Sequence, residues 1–144
     1  MIGCQVLNKK LGPSKHLSWS ELSCRDGTPY PVEWRGTRAI ELAAAFEKIR
    51  NIYGKPIRVI SAFRTPEWNK KIGGAKNSQH LYGRALDLLP PEGISAEQFY
   101  FDIRYFATSF GITGLGRYKT FVHIDTRPSK KLIVWTGKGW KDFV

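Results

Sequence analysis

Two histidines and one aspartate are the residues of this chain that could form a catalytic metal site. His80 and Asp87 lie seven positions apart with Gly83 between them, and His123 follows much later, in Phe121-Val122-His123-Ile124-Asp125. Imidazole nitrogens and a carboxylate oxygen are common zinc ligands, and three protein ligands leave a fourth position open. The residue types therefore indicate a metal site of the catalytic type, provided that the fold brings the segments together.

The segment around His123 has the apolar-polar alternation of a strand. Alternate residues of a strand face the same way, so His123 and Asp125 are expected to project together while Val122 and Ile124 point into the core. Asp87 is flanked by Ala-Leu and Leu-Leu, and a buried carboxylate without a partner is very costly. A Zn2+ ion would supply that partner.

The elements that must position these residues are mixed helices and strands. Apolar periodicity predicts a short helical turn over 16–22 and helices over 37–53, from Pro66 onwards, and over 95–109. Ser18 and Glu21 are expected to form a capping box at the first, and Thr37 is expected to cap the second, which Gly54 ends. Short β-branched or apolar runs predict strands over 57–60, 85–89, 111–116, 120–126 and 131–135. The tight turn 127–130 predicts that the last two strands are antiparallel neighbours. The fold class is therefore α+β, a single domain with a mainly antiparallel sheet and flanking helices.

Composition sets limits on the biological setting. The chain has 144 residues and a formal net charge of +11, which implies a polyanionic partner: nucleic acid, an acidic membrane surface or a cell-wall polymer. A solvated basic surface explains the charge equally well. No apolar run approaches the roughly 20 residues of a membrane span, and residues 1–10 lack the pattern of a signal peptide. Cys4 and Cys24 could form a disulfide, but two thiols without an export signal are more often reduced.

The segment 78–87 resembles a known family signature. Ser78, His80, Gly83, Ala85 and Asp87 match the pattern Ser-x-His-x-x-Gly-x-Ala-x-Asp of the zinc D-Ala-D-Ala carboxypeptidase family. That family includes phage L-alanyl-D-glutamate endolysins and murein endopeptidases, and it shares its fold with the Hedgehog signalling domain. Residues 61–69 look like its Ser-Gly-Tyr-Arg-Ser-Pro-x-x-Asn segment, and 114–118 and 121–125 resemble its last strands. Residues 17–27 look like the leader of the branch often found in phage proteins.

The resemblance implies roles for individual residues. It makes His80, Asp87 and His123 the zinc ligands. It makes Arg64 the arginine that contacts a substrate carboxylate or carbonyl, a task that suits the planar fork of a guanidinium. Ser78 is expected to orient the loop that carries the first ligand.

One position departs from the family pattern. Several branches place a Glu or Asp three residues before the last histidine ligand, as the general base, and this chain has Thr120 there. Asp125 is the nearest carboxylate in the sequence, and it could either accept a proton from a zinc-bound water or hold the ring of His123 in place. Tyr118 is a candidate for stabilising a tetrahedral intermediate through its phenol.

We predict from these features a zinc-dependent peptidase that acts on the stem peptides or cross-links of bacterial peptidoglycan. The expected setting is a monomeric phage endolysin or virion-associated lytic enzyme, present in the host cytoplasm before release to the wall, with an irregular arm at 1–15 and the catalytic domain at 16–144. The alternative is a zinc-stabilised wall-binding module without turnover, which Thr120 motivates. Nucleic-acid binding is a third hypothesis, based on the charge and on Trp135 and Trp140, but packing explains these tryptophans more simply and we expect no nucleic-acid partner.

Overall fold

The structure is a computed structural model that describes residues 11–137. Most of the predicted irregular arm at 1–15 lies outside the described residues, as do Cys4 and Trp140. Cys24, the other half of the possible disulfide, is buried. Within the described range, no helix combines the length and the apolar character needed to cross a membrane.

The α-helices of the described range lie close to the positions that the sequence predicts. They are α1 (Trp19–Leu22), α2 (Arg38–Tyr53), α3 (Pro66–Lys71) and α4 (Ala96–Phe106). The predicted capping box of Ser18 and Glu21 is confirmed at α1. Thr37 occupies the N-cap position of α2, but its side chain makes no capping hydrogen bond, so that predicted cap is wrong. Gly54 ends α2 in the left-handed conformation, as predicted.

The five strands of the described range form one mixed sheet. They are β1 (Val59–Ser61), β2 (Ala85–Leu88), β3 (Gly114–Arg117), β4 (Val122–Asp125) and β5 (Ile133–Thr136), in the spatial order β1-β2-β4-β3-β5. The first three neighbouring pairs are antiparallel and the last pair, β3 with β5, is parallel. The predicted α+β class is confirmed.

The predicted pairing of the last two strands is wrong. β5 does not lie beside β4, because β3 lies between them. The connection passes the start of β3, where the Thr113 hydroxyl donates to the Arg127 carbonyl at 2.6 Å and the Ile133 N–H donates to the Thr113 carbonyl at 2.8 Å. These two contacts attach the connection to the start of β3, and β5 then pairs with β3. The short turn at 127–130 therefore does not produce a hairpin of β4 and β5.

The two central strands bring the candidate metal residues together. In the antiparallel register of β2 and β4, Asp87 is directly opposite His123. Val122 and Ile124 are fully buried in the hydrophobic core, which also contains apolar residues of α2 and α4. Because strand residues alternate between faces, this core packing turns the side chains of His123 and Asp125 to the other face, as predicted.

Candidate metal centre

His80, Asp87 and His123 form a compact group of possible metal ligands. One ligand atom of each residue lies within 4.8 Å of the others, and all three side chains are buried. The Oδ1 atom of Asp87 is 3.1 Å from Nε2 of His80 and 3.0 Å from Nδ1 of His123. Tetrahedral bonds of 2.0–2.2 Å put ligand atoms about 3.4 Å apart. The donor set therefore fits a zinc ion after small outward shifts.

His80 is held so that only one ring nitrogen is free for a metal. It lies in the 3₁₀ turn Gln79–Tyr82, where the Ser78 hydroxyl accepts a hydrogen bond from the His80 backbone N–H at 3.2 Å. Nδ1 of His80 is 2.6 Å from the carbonyl oxygen of Ala62, which can only accept, so Nδ1 carries the proton and donates. Nε2 is then left with its lone pair directed toward Asp87. The position of Ser78 agrees with its expected role in orienting this turn.

The ring of His123 is fixed from the side away from Asp87. Its Nε2 is 2.7 Å from Oδ2 of Asp125, which leaves Nδ1 as the metal-facing nitrogen. Asp125 is fully buried and receives a two-point contact from Arg127, with Nε to Oδ1 at 2.8 Å and Nη2 to Oδ2 at 2.7 Å. The backbone N–H of Arg127 adds a third bond to Oδ1 at 3.2 Å. Of the two roles predicted for Asp125, these contacts favour holding the His123 ring.

The charges of this group are set by burial and by mutual contacts. Burial would raise the pKa of Asp87, but its close contacts with His80 and His123 outweigh burial and hold that pKa far below its usual range. Burial acts on Asp125 in the same way, and the bonds from Arg127 and His123 hold its pKa at about 2. Burial lowers the pKa of His80, whereas the two aspartates raise that of His123 despite burial. Both carboxylates are therefore ionised, which suits a cation site.

Arg64 lies beside the metal group, as its predicted role requires. Its Nη2 is 3.3 Å from Oδ2 of Asp87, its Nη1 donates to Oδ1 of Asn69 at 3.1 Å, and its Nε donates to the Ser61 hydroxyl at 3.2 Å. These contacts hold the guanidinium plane in place next to the carboxylate. A guanidinium has five N–H donors, so donors remain for a ligand in the cleft.

The metal group opens into a cleft with a volume of about 940 Å³. Tyr118, Phe121 and Trp135 are its aromatic lining residues. The ring of Tyr118 stacks on Phe121 at a centroid distance of 4.5 Å, and Nε1 of Trp135 donates to the Tyr118 hydroxyl oxygen at 3.1 Å. Because that oxygen already accepts a bond, the phenol O–H of Tyr118 is available to donate.

The position of Thr120 and the residues that line the cleft bear on the question of a general base. Thr120 is exposed in the turn between β3 and β4 and is not among the residues that line the cleft. Among the described residues that line the cleft, Asp87 supplies the carboxylate. Asp125 lies behind His123 and is fully buried.

Sequence reasoning missed two residues of this site. Arg127, which pairs with Asp125, lies at the start of the predicted turn 127–130, although the alternation that groups His123 with Asp125 extends to position 127. Asn69, which contacts Arg64, was noted only as part of a motif. Asn69 and Arg64 belong to the same segment 61–69, but the residue pattern of that segment does not show that the two side chains touch.

Comparisons with known proteins agree with this geometry. The family described as Peptidase M15 matches residues 15–125. Over 34 residues, the chain is 53% identical to a zinc D-Ala-D-Ala carboxypeptidase from Streptomyces albus G. That match covers 24% of this chain and only 13% of the carboxypeptidase. The family match includes all three candidate ligands and extends over most of the chain, and the chain therefore belongs to the peptidase M15 family.

Proposed function

We propose that the protein is a zinc-dependent metallopeptidase that hydrolyses peptide bonds in the stem peptides or cross-links of bacterial peptidoglycan. The observation that carries this proposal is the buried His80–Asp87–His123 group in a cleft beside Arg64. The predicted cofactor, Zn2+, rests on three findings that agree: the peptidase family, the zinc enzyme among the relatives, and the His-Asp-His donor set.

Each residue of the site has a distinct task in this proposal. His80, Asp87 and His123 would hold the ion, with Asp125 keeping the His123 ring in its metal-binding orientation. When bound, Zn2+ supplies Lewis acidity, which polarises a carbonyl group and makes water a better nucleophile at neutral pH. Arg64 positions a substrate carboxylate or carbonyl through its remaining N–H donors. The phenol of Tyr118 donates a hydrogen bond to the oxygen on which negative charge develops.

A second candidate function is a zinc-stabilised wall-binding module without turnover. The observation that favours it is the position of Thr120, which is exposed and away from the cleft, together with the lack of a second carboxylate among the described lining residues. Such a module would keep the metal and the cleft but would lack a group that removes a proton from water.

Digestion of purified sacculi separates these two functions. The zinc-loaded protein should release peptide fragments, identified by mass spectrometry, and a chelator should stop the release until zinc is restored. An Asp87→Asn variant serves as the matched inactive control. Protein that binds sacculi and retains zinc but releases no fragment would support the binding module and overturn the enzyme. The masses of the fragments would identify the bond that is cut.

We propose a domain at 16–144 with the Hedgehog/DD-peptidase-like fold, acting as a monomer, and a role as a phage endolysin or virion-associated lytic enzyme. The support for these statements is the sequence resemblance, together with a net charge of +11 that suits an anionic wall.

A further inference from the structure

Among the residues that the structure describes, the cleft contains one cation that the proposed metal site does not use. The charged lining residues are Arg64, Lys76, Arg127 and the carboxylate Asp87. Arg64 contacts Asp87, and Arg127 is paired with Asp125 behind the metal group. Within residues 11–137, the Lys76 ammonium is assigned no hydrogen bond or ion pair. An unpaired ammonium in the wall of a cationic cleft is available for an anionic group of a ligand.

The loop that carries Lys76 is tied to Arg64 through one buried side chain. Asn69 is 5% exposed, and its Oδ1 accepts from Nη1 of Arg64 at 3.1 Å. Its Nδ2 donates to the carbonyl of Ala75 at 2.9 Å. A single amide group therefore links the guanidinium of Arg64 to the residue that precedes Lys76.

The backbone of this loop also packs closely against Asn69. The Gly74 N–H donates to the Asn69 carbonyl at 2.8 Å, and a Cβ atom at position 74 would overlap the Asn69 side chain. The Ser78 N–H then closes the loop on the Ala75 carbonyl at 3.2 Å. The starting point of the Lys76 side chain is thus held at a fixed place relative to Arg64, although the ammonium itself can still move on its flexible stem.

We infer that Lys76 forms a second anion-binding subsite in the cleft, which takes a second carboxylate of an acidic peptide, and that Asn69 sets its spacing from Arg64. The inference rests on the proposed function, in which Arg64 takes the first carboxylate or carbonyl. A lysine ammonium is a compact charge with three rotatable donors, so the subsite selects for negative charge more than for shape. A substrate peptide with a free carboxylate is therefore preferred over the same peptide with a carboxamide.

A pair of peptides that differ at one group tests this preference. One peptide carries a glutamate and the other a glutamine at the same position, and calorimetry measures their binding to metal-free protein, which does not turn them over. The wild type should bind the glutamate peptide about three- to five-fold more tightly, the upper part of the range for a solvent-exposed ion pair. Lys76→Met should abolish that preference, Lys76→Arg should keep it, and high salt should reduce it. Lys70→Met, at an exposed lysine of α3 outside the cleft lining, is the matched control.

Two results would overturn the inference. One is a wild type that binds neither peptide or binds both equally, and the other is a Lys70→Met variant that loses the preference as fully as Lys76→Met. With zinc restored, the Lys76→Met variant should raise KM for the glutamate peptide and leave kcat unchanged, because the subsite does not contact the reacting atoms. A protein that prefers the glutamate peptide but releases nothing from sacculi would disprove the proposed peptidase and retain the Lys76 subsite.

Discussion

Two buried aspartates contact the two ring nitrogens of the same histidine, and their surroundings differ. Asp87, on β2, meets Nδ1 of His123 at 3.0 Å, and Asp125, on β4, meets Nε2 at 2.7 Å. Asp87 lines the cleft and shares its Oδ1 between two histidine nitrogens. Asp125 is fully buried, and Arg127 occupies both of its oxygens.

The difference shows how one residue type serves two tasks in a metal site. Asp87 contacts Nε2 of His80 and Nδ1 of His123, and the lone pairs of both nitrogens can bind a cation that lies between them and Asp87. The partners of Asp125 are N–H donors from a permanent cation and from His123, so Asp125 has no open direction for a metal. Asp87 is the ligand of this proposal, and Asp125 sets the orientation of a ligand.

Replacing Asp87 should have the largest effect. The Asp87→Asn variant keeps the shape of the side chain but removes the negative charge and one of three ligands. We expect its zinc affinity to fall by more than the roughly 10–100-fold that is typical when a partner behind a ligand is lost, and its hydrolysis of sacculi to become undetectable. Isothermal titration with zinc and fragment release from sacculi measure the two losses. An Asp87→Asn variant with wild-type zinc affinity would remove Asp87 from the metal site.

Replacing Asp125 should have a smaller effect that excess metal can rescue. In the Asp125→Asn variant, an amide replaces the carboxylate that fixes the ring of His123 and raises its basicity. We expect zinc affinity to fall by about 10–100-fold while all three ligands remain. Activity should therefore return at saturating zinc, whereas that of the Asp87→Asn variant should not.

The rescue experiment also tests the role of Asp125 in proton transfer. If Asp125 were the general base, saturating zinc would restore binding of the metal but leave kcat low. A low kcat at full zinc occupancy would thus identify Asp125 as the general base, despite its burial and its contacts with Arg127.

Local sequence patterns point to three residues that the structure brings into one group. The spacing of His80 and Asp87 and the alternation around His123 depend on neighbouring residues, and the structure brings the three side chains together. The same alternation places Asp125 beside His123, and its next position is Arg127.

Long-range contacts account for what the sequence did not predict. The turn at 127–130 favoured a hairpin, but Thr113, distant in sequence, accepts and donates hydrogen bonds that direct the chain to the far side of β3. A pattern of residue types cannot indicate such pairs, because each side chain has many polar partners of equal chemical suitability.

A methyl group placed against Asp125 should disturb its contacts with His123 and Arg127 without changing any polar residue. A Cβ atom at Gly114 would overlap the carboxylate of Asp125, whereas one at Gly36 would meet open space. We expect Gly114→Ala to lower the free energy of unfolding by about 1–3 kcal/mol, the usual cost of overpacking a buried site. Zinc affinity should also fall, by less than in Asp125→Asn, because the carboxylate moves but is still present. The Gly36→Ala variant is the control in thermal unfolding and zinc titration, and equal effects of the two changes would contradict this account.

The smallest effect is expected from Arg127→Lys, which keeps the positive charge beside Asp125 but changes the geometry of the contact. Arg127 contacts both oxygens of Asp125 through its planar fork, while lysine can supply the charge but only one directed contact. Because Arg127 is partly exposed, with 24% of its side chain accessible, the loss in unfolding free energy should be below about 1 kcal/mol. The backbone N–H of residue 127 still donates to Asp125, so zinc affinity should fall only a few-fold. If the Arg127→Lys variant instead bound zinc as weakly as Asp125→Asn, the fork of Arg127 would be as necessary for the orientation of His123 as the carboxylate it holds.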